Sequence, residues 1–150
     1  MDDFASKMNE LLVDTFHSIL KVEENMLSQF QSNLSISEMH LIEAIGKNKE
    51  TGRTISDIAN ELSITSASVT VAINKLVKKG YVEKVRCNDD GRVVYAKLTR
   101  LGRRMDAAHR YFHEHMVRKI SEGMTDIEKQ ALMRGVDKLN TFFKQNLEDK

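Results

Sequence analysis

The 150-residue sequence predicts a mainly α-helical chain with one small β-hairpin. Three observations predict this fold class. Apolar residues recur at helical spacing along most of the chain, residues that start helices precede five of these stretches, and two β-branched runs flank one turn-rich stretch. The sequence has no proline and only seven glycines, which is typical of long helices with few breaks.

The composition is that of a globular domain, with 41% hydrophobic and 30% charged residues. No apolar run approaches the roughly 20 residues that a membrane span needs. The first residues lack the basic and then apolar pattern of a secretory signal, and the single cysteine, Cys87, cannot form an internal disulfide. We therefore expect one cytoplasmic domain that has no membrane partner.

Charge is distributed unevenly along the chain. Residues 1–52 carry four Lys/Arg against nine Asp/Glu, residues 53–104 carry eleven against five, and residues 105–150 carry eight of each. The corresponding net charges are −5, +6 and zero. A basic central third is typical of a segment that faces a polyanion, although a solvated basic helix face would give the same charge.

Two helices are predicted in the first third of the chain. Apolar residues recur at helical intervals from Phe4 to about Phe30. Ser35 and Glu38 have the spacing of a capping box, which predicts that a second helix starts there and ends near Gly46.

Two further short helices follow almost without a linker. Thr54 is expected to cap the first, and either Thr65 or Ser66 caps the second, which ends at Gly80. This arrangement is typical of a helix-turn-helix, although Ser63 stands where such turns usually have glycine. The second helix is expected to bury Val69, Ile73, Leu76 and Val77.

A β-hairpin is predicted directly after the second short helix. The runs Tyr81–Val85 and Val93–Leu98 are β-branched and aromatic, and the polar stretch Cys87–Arg92 between them is a turn signal. A hairpin in this position is a wing, so the central third predicts a winged helix-turn-helix. A long helix that starts near Thr99 and a last helix capped by Thr125 complete the chain.

The outward side chains of the helix over residues 65–79 are expected to be polar, small or basic. Hydroxyl and amide groups reach phosphates or base edges, and lysines meet the backbone charge of DNA. Asn74 is a candidate reader of adenine, and a surface helix with a polar face is the alternative. The predicted DNA-binding residues are Thr65, Ser66, Ser68, Thr70, Asn74, Lys75, Lys78, Arg86, Asp90 and Arg92.

Arg92 is singled out among these residues because its place at the tip of the predicted wing would let it reach DNA. A protruding arginine can enter a narrow minor groove, where negative potential is focused. Asp90 is better suited to orienting the loop by pairing with Arg92 than to touching DNA. An exposed arginine in an ordinary turn is the alternative.

The stretch from Ile55 to Gly102 resembles the winged helix-turn-helix of the MarR family. The matching features are the helix pattern Ile55/Ala59/Leu62, the Ser/Thr-rich helix, Lys79-Gly80-Tyr81-Val82, Asp90-Gly91-Arg92 and Leu98-Thr99-Arg100-Leu101-Gly102. The usual wing of the family has two adjacent arginines after the aspartate, and Gly91 replaces the first. The resemblance implies a transcriptional repressor, not an enzyme, that binds double-stranded palindromic DNA.

Two shorter segments, residues 36–40 and 109–124, resemble the fatty-acid-synthesis repressors of Gram-positive bacteria. This resemblance implies repression of fatty acid biosynthesis genes, with a long-chain acyl group on acyl carrier protein as corepressor and no other cofactor. Repression of stress or efflux genes, released by a phenolic or oxidant ligand, is the alternative.

The terminal helices carry more apolar residues than a small winged unit could cover. In the family such helices interlock between two chains, so we expect a homodimer with dimerisation helices in residues 1–34 and 103–150 and a DNA-binding lobe in residues 35–102. Two-fold symmetry would place the recognition helices about 34 Å apart, one turn of DNA.

The sequence also offers candidate ligand-binding residues. Methionines accommodate flexible acyl chains, although they are also ordinary core residues. By the resemblance, a ligand would lie between the dimerisation helices and the lobe. The candidates are Met26, Phe30, Met39, His40, Met105, His109, Phe112 and His113.

Other kinds of site have less support. His109 and His113 share a helix face and could bind a metal, but no further ligands are patterned around them, so no metal is expected. Cys87 could be a redox switch, with only Arg86 beside it to activate the thiol. The sequence has no phosphate-binding loop or nucleophile elbow of an enzyme. A protein-binding winged helix would not need the basic segment.

Overall fold

The structure is a computed structural model that describes residues 2–148. Its contacts divide the chain after Ala107 into a first unit, which ends within the long helix α5, and a second unit, which holds the rest of α5 and α6. The elements are α1 (Asp3–Gln29), α2 (Ile36–Gly46), β1 (Arg53–Thr54), α3 (Ile55–Leu62), α4 (Ser66–Lys78), β2 (Val82–Arg86), β3 (Val94–Leu98), α5 (Arg100–Ser121) and α6 (Asp126–Glu148).

The helices begin where the capping residues predict. Ser35 and Glu38 form a reciprocal capping box, with the Ser35 N–H donating to the Glu38 carboxylate at 2.9 Å and the Glu38 N–H donating to the Ser35 hydroxyl at 3.2 Å. Of the two candidates for α4, Thr65 is the cap and Ser66 is the first helical residue. Thr125 starts α6 with the predicted capping box. Side chains thus satisfy backbone N–H groups that have no partner within the helix.

The turn between α3 and α4 is tight because Ser63 adopts a left-handed backbone, with φ +53°. Its N–H closes α3 by donating to the carbonyl oxygens of Ala59 and Asn60. The residue that stands in place of the usual glycine therefore has the conformation that glycine adopts most easily.

Replacement of Ser63 by glycine should stabilise the fold. A non-glycine residue in this region costs about 1–2 kcal/mol, and the extra chain entropy of glycine in the unfolded state offsets about 0.4–1 kcal/mol of that. We expect a net gain of about 0.5–1 kcal/mol in the urea-derived free energy of unfolding. Ser63→Ala keeps the Cβ atom and should give no such gain. A Ser63→Gly chain less stable than wild type would contradict this account of the turn.

The predicted wing is present, with one further strand. Strands β2 and β3 pair antiparallel from Val82↔Leu98 to Arg86↔Val94, so each begins one residue later than predicted. Strand β1 was not predicted, and it pairs with β3 to give the sheet order β1-β3-β2. A two-residue strand carries no alternation signal, which is why the sequence did not reveal it.

The lobe core lies under α2, α3 and α4. Val69, Ile73 and Leu76 of α4 are fully buried, as predicted. The prediction for Val77 was wrong, since this residue is 38% exposed. The buried stripe follows residues 69, 73 and 76, and Val77 lies one residue outside it.

Several apolar residues of the long helices are exposed, as the excess of apolar positions predicted. On α1, Leu11, Phe16 and Ile19 are exposed. In the second unit, no residue of α6 is buried over its described length, and Val136 and Phe143 are exposed. Large apolar side chains in solvent, on each of these helices, are typical of an interaction face.

No helix within residues 2–148 combines the length and apolar character needed to cross a membrane.

Candidate nucleic-acid interface

Helix α4 has a buried stripe of apolar residues on one side and a solvent face on the other. The stripe anchors the helix in the lobe, and Thr70 is half-buried at its edge. The solvent face carries most of the predicted DNA-binding positions of this helix, namely Ser66, Ser68, Asn74, Lys75 and Lys78.

Hydroxyl groups at the start of α4 hold the helix together. The Thr65 hydroxyl accepts the Ser68 N–H at 3.1 Å and donates to the Ser68 hydroxyl at 2.9 Å. The Thr70 hydroxyl donates to the Ser66 carbonyl oxygen at 2.9 Å. The hydroxyl groups of Thr65 and Thr70 therefore donate within α4, and these two residues stabilise the start of the helix that carries the solvent face.

Asn74 is coupled to the wing. Its side-chain oxygen accepts a hydrogen bond from the ammonium group of Lys84 on β2. This contact orients the side-chain amide of Asn74, the predicted reader of adenine, and places the positive charge of Lys84 beside it. Sequence reasoning missed Lys84, and the only available signal was its place in the basic segment next to the helix.

The three lysines at the end of α4 have different environments. Lys75 and Lys78 are exposed, whereas the Lys79 ammonium donates to the Glu38 carboxylate at 2.8 Å and to the Asn33 carbonyl oxygen at 2.6 Å. Lys79 therefore ties α4 to the start of α2, and Lys75 and Lys78 are the two lysines of α4 that face solvent.

The Glu38–Lys79 contact predicts a pH dependence of stability. Burial raises the pKa of Glu38, but hydrogen bonds from Lys79 and the Ser35 N–H outweigh it and hold the pKa below its ordinary value of 4.5. An acid with a lowered folded-state pKa stabilises the fold above its unfolded-state pKa, and this contribution is lost as pH falls through the folded-state pKa.

Glu38→Gln should therefore destabilise the chain at pH 7 by about 1 kcal/mol. Urea unfolding of both chains at several pH values measures the difference, which should shrink steadily below pH 4.5. A difference that stays constant down to pH 3 would contradict the role of the charge.

The wing loop presents Arg92 to solvent. The side chain of Arg92 is 94% exposed, and its backbone N–H and Nε donate to the same Asp90 oxygen at 3.0 and 3.3 Å. The predicted pairing of Asp90 with Arg92 is present. Arg86 braces the same loop through a long hydrogen bond to the Gly91 carbonyl oxygen at 3.4 Å. Exposed ion pairs contribute little free energy. Arg92 can therefore exchange Asp90 for a DNA phosphate or a minor groove at little energetic cost.

Cys87 lies at the base of the wing loop. The residue is half-buried, and its backbone N–H donates to the Val93 carbonyl oxygen at 2.9 Å. The backbone contact closes the loop, so the position has a structural role whatever the thiol does. The redox hypothesis stays a prediction.

The candidate ligand residues of the first unit do not share one environment. Met26, Met39 and Met105 are buried in the core, Phe30 is exposed, and the His40 Nε2 lies 3.5 Å from the Glu23 carboxylate. A cavity of about 510 Å³ lies among α2, the α3–α4 turn and α4, and one of about 400 Å³ lies beside the start of α2. Neither is lined by these five residues, so their ligand role stays a prediction.

The second unit contains the predicted histidine pair. The Nε2 atoms of His109 and His113 are 3.0 Å apart, so one ring donates a hydrogen bond to the other. The Phe112 ring packs edge-on against His113 with centroids 5.3 Å apart. The two histidines share a helix face as their spacing predicts, and the absence of a metal stays a prediction.

Comparisons with known proteins agree with this geometry. A family model described as "MarR family" matches residues 32–93, from the segment before α2 to the wing. The crystal structure of Streptococcus pneumoniae FabT in complex with DNA is 37% identical, covers 94% of this chain and 98% of that chain, and has a TM-score of 0.87.

Curated relatives are more distant. The transcriptional regulator AdcR of Streptococcus pneumoniae serotype 2 is 26% identical over 139 residues, which are 89% of this chain and 93% of that protein. The HTH-type transcriptional regulator YhjH of Bacillus subtilis is 27% identical over 84 residues, or 56% of this chain, and the match spans about half (47%) of the length of YhjH. The winged helix-turn-helix fold, the exposed face of α4 and the near full-length match agree: this chain belongs to the MarR family of transcriptional regulators.

Proposed function

We propose that the chain is a homodimeric DNA-binding repressor of fatty acid biosynthesis genes, with a long-chain acyl group on acyl carrier protein as its corepressor. The observation that carries this proposal is the 37% identity, over nearly the whole chain, to a FabT that was crystallised with DNA. The resemblance of residues 36–40 and 109–124 to fatty-acid-synthesis repressors supports the same regulon.

Two features of the lobe support binding to double-stranded DNA. Helix α4 exposes lysines and small side chains on one face, which is what entry into a major groove requires. The wing extends Arg92 into solvent, where a minor groove can take it up. Both lie in the segment with net charge +6.

The exposed apolar residues of α1 and α6 support a homodimer. Phe16 on α1 and Phe143 on α6 are large apolar side chains in solvent, and a second copy of the chain would cover such residues. A two-fold dimer presents two recognition helices to a palindromic site. Light scattering at micromolar concentration tests this: a dimer mass is expected, and a monomer mass would refute the dimer.

Fluorescence anisotropy tests the regulatory role. The labelled duplex is a palindromic operator from a fatty-acid gene, and the chain is titrated with and without long-chain acyl-acyl carrier protein. We expect tighter binding with the acylated carrier and no change with the unacylated carrier, which is the matched control. Sequence-specific binding that ignores the acyl group would leave a MarR-family regulator with a different ligand and refute the corepressor.

A further inference from the structure

The direction opposite the buried stripe of α4 is shared by two small apolar residues and one lysine. With about 100° per residue, this direction falls among Ala67, Val71 and Lys78. Ala67 is exposed, and Val71 is 57% exposed although valine usually lies inside a protein. The hydroxyl residues Ser66 and Thr70 lie towards the side of the helix. The centre of the solvent face therefore consists of two small apolar side chains and Lys78.

Two polar neighbours of Ala67 and Val71 already make hydrogen bonds within the protein. The Thr70 hydroxyl donates to the Ser66 carbonyl oxygen at 2.9 Å, and the Asn74 oxygen accepts from Lys84. Val71 has a single side-chain torsion, and the branch at its Cβ restricts that torsion in a helix. Ala67 and Val71 thus present a rigid apolar surface, which continues into the cavity of about 510 Å³ that they line together with Leu41, Leu62 and Ile64.

The apolar groups on the major-groove edges of the base pairs are the C5-methyl group of thymine and the smaller C5–H of cytosine, and the methyl group is the one that projects into the groove. The other positions are hydrogen-bond donors and acceptors. An apolar surface placed against any other base edge would leave that edge without its hydrogen bonds. We propose that Val71, with Ala67 one turn before it, recognises the methyl group of a thymine in each half-site of the operator.

This inference rests on the proposed DNA-binding function and adds a specificity determinant to it. The probe is the duplex that the full-length chain selects from a random-sequence library. Each thymine of that duplex is then replaced, one at a time and symmetrically in both half-sites, by deoxyuridine, which lacks only the methyl group. Binding of each duplex is measured by anisotropy at one salt concentration.

At one thymine position, deoxyuridine should weaken binding by wild type about fourfold for each half-site, the effect of one buried methyl group. The Val71→Ala chain should bind the thymine duplex more weakly and should lose most of the discrimination at that same position. Val77→Ala is the matched control, because Val77 is an exposed valine of the same helix that points away from the outermost line. It should keep both the affinity and the sensitivity to deoxyuridine.

The outcomes separate the two proposals. Selection of a duplex with no thymine whose methyl group matters, or equal deoxyuridine sensitivity in wild type and Val71→Ala, overturns the role of Val71 and leaves the DNA-binding function intact. Failure to select any duplex overturns both. Circular dichroism of each variant verifies that the exposed substitution has not unfolded the chain.

Discussion

Arg92→Ala should weaken binding to a specific duplex by about 5- to 150-fold, corresponding to about 1–3 kcal/mol. The Arg92 side chain is 94% exposed at the tip of the wing, and its one ion pair, to Asp90, is exposed and weak. The guanidinium group is therefore available to a minor groove at little cost, and Arg92→Ala deletes the contact that it would make there.

Anisotropy at matched salt measures this change, because the affinity for DNA varies steeply with ionic strength. Lys21→Ala is the charge-matched control, since it removes one exposed cation from α1, outside the lobe. The control should bind within about twofold of wild type. If Arg92→Ala bound as tightly as Lys21→Ala, the wing would not touch DNA.

Gly102→Ala should destabilise the fold by about 3 kcal/mol and lower Tm by about 6–12 °C. A Cβ atom on Gly102 would lie 2.1 Å from the Tyr81 carbonyl oxygen and 3.3 Å from the Leu98 Cβ. The first of these atoms belongs to the backbone, so relief requires α5 to move away from the start of β2.

Thermal unfolding followed by circular dichroism measures the shift. Gly91→Ala is the matched control in the same unit, because a Cβ atom there meets nothing within 4 Å. Its Tm should change by no more than about 2 °C. A Gly102→Ala chain with the Tm of the control would show that the contact between α5 and Tyr81 is looser than the structure describes.

Local chemistry explains which parts of the fold were predictable. Ser35, Thr54, Thr65 and Thr125 cap helices because their side-chain oxygens satisfy backbone N–H groups within three residues, and this is visible in the sequence. The hairpin follows from two β-branched runs around a polar turn. Strand β1 was missed because its pairing with β3 is a contact over more than 40 residues and has no local signal.

The solvent face of α4 was only partly predictable, because some of its contacts also have no local signal in the sequence. The polar residues of α4 were identified by chemical type, which favoured serine and threonine over Val71. In the structure, the Thr70 hydroxyl donates to the helix backbone, and the Asn74 oxygen accepts a hydrogen bond from Lys84, a residue ten positions away. Similarly, the sequence identified Gly102 only as a motif position. The structure shows why a glycine is needed there, since the Tyr81 carbonyl group leaves no room for a Cβ atom.

The proposed function requires this chain to bind palindromic DNA upstream of fatty acid biosynthesis genes. The most direct test incubates the full-length chain with fragments of the genome that encodes it and sequences the fragments that it retains. Enrichment upstream of fatty acid biosynthesis genes, centred on a palindrome and reduced with Arg92→Ala, is the predicted result. Enrichment confined to other genes, or none above that of Arg92→Ala, would contradict the account.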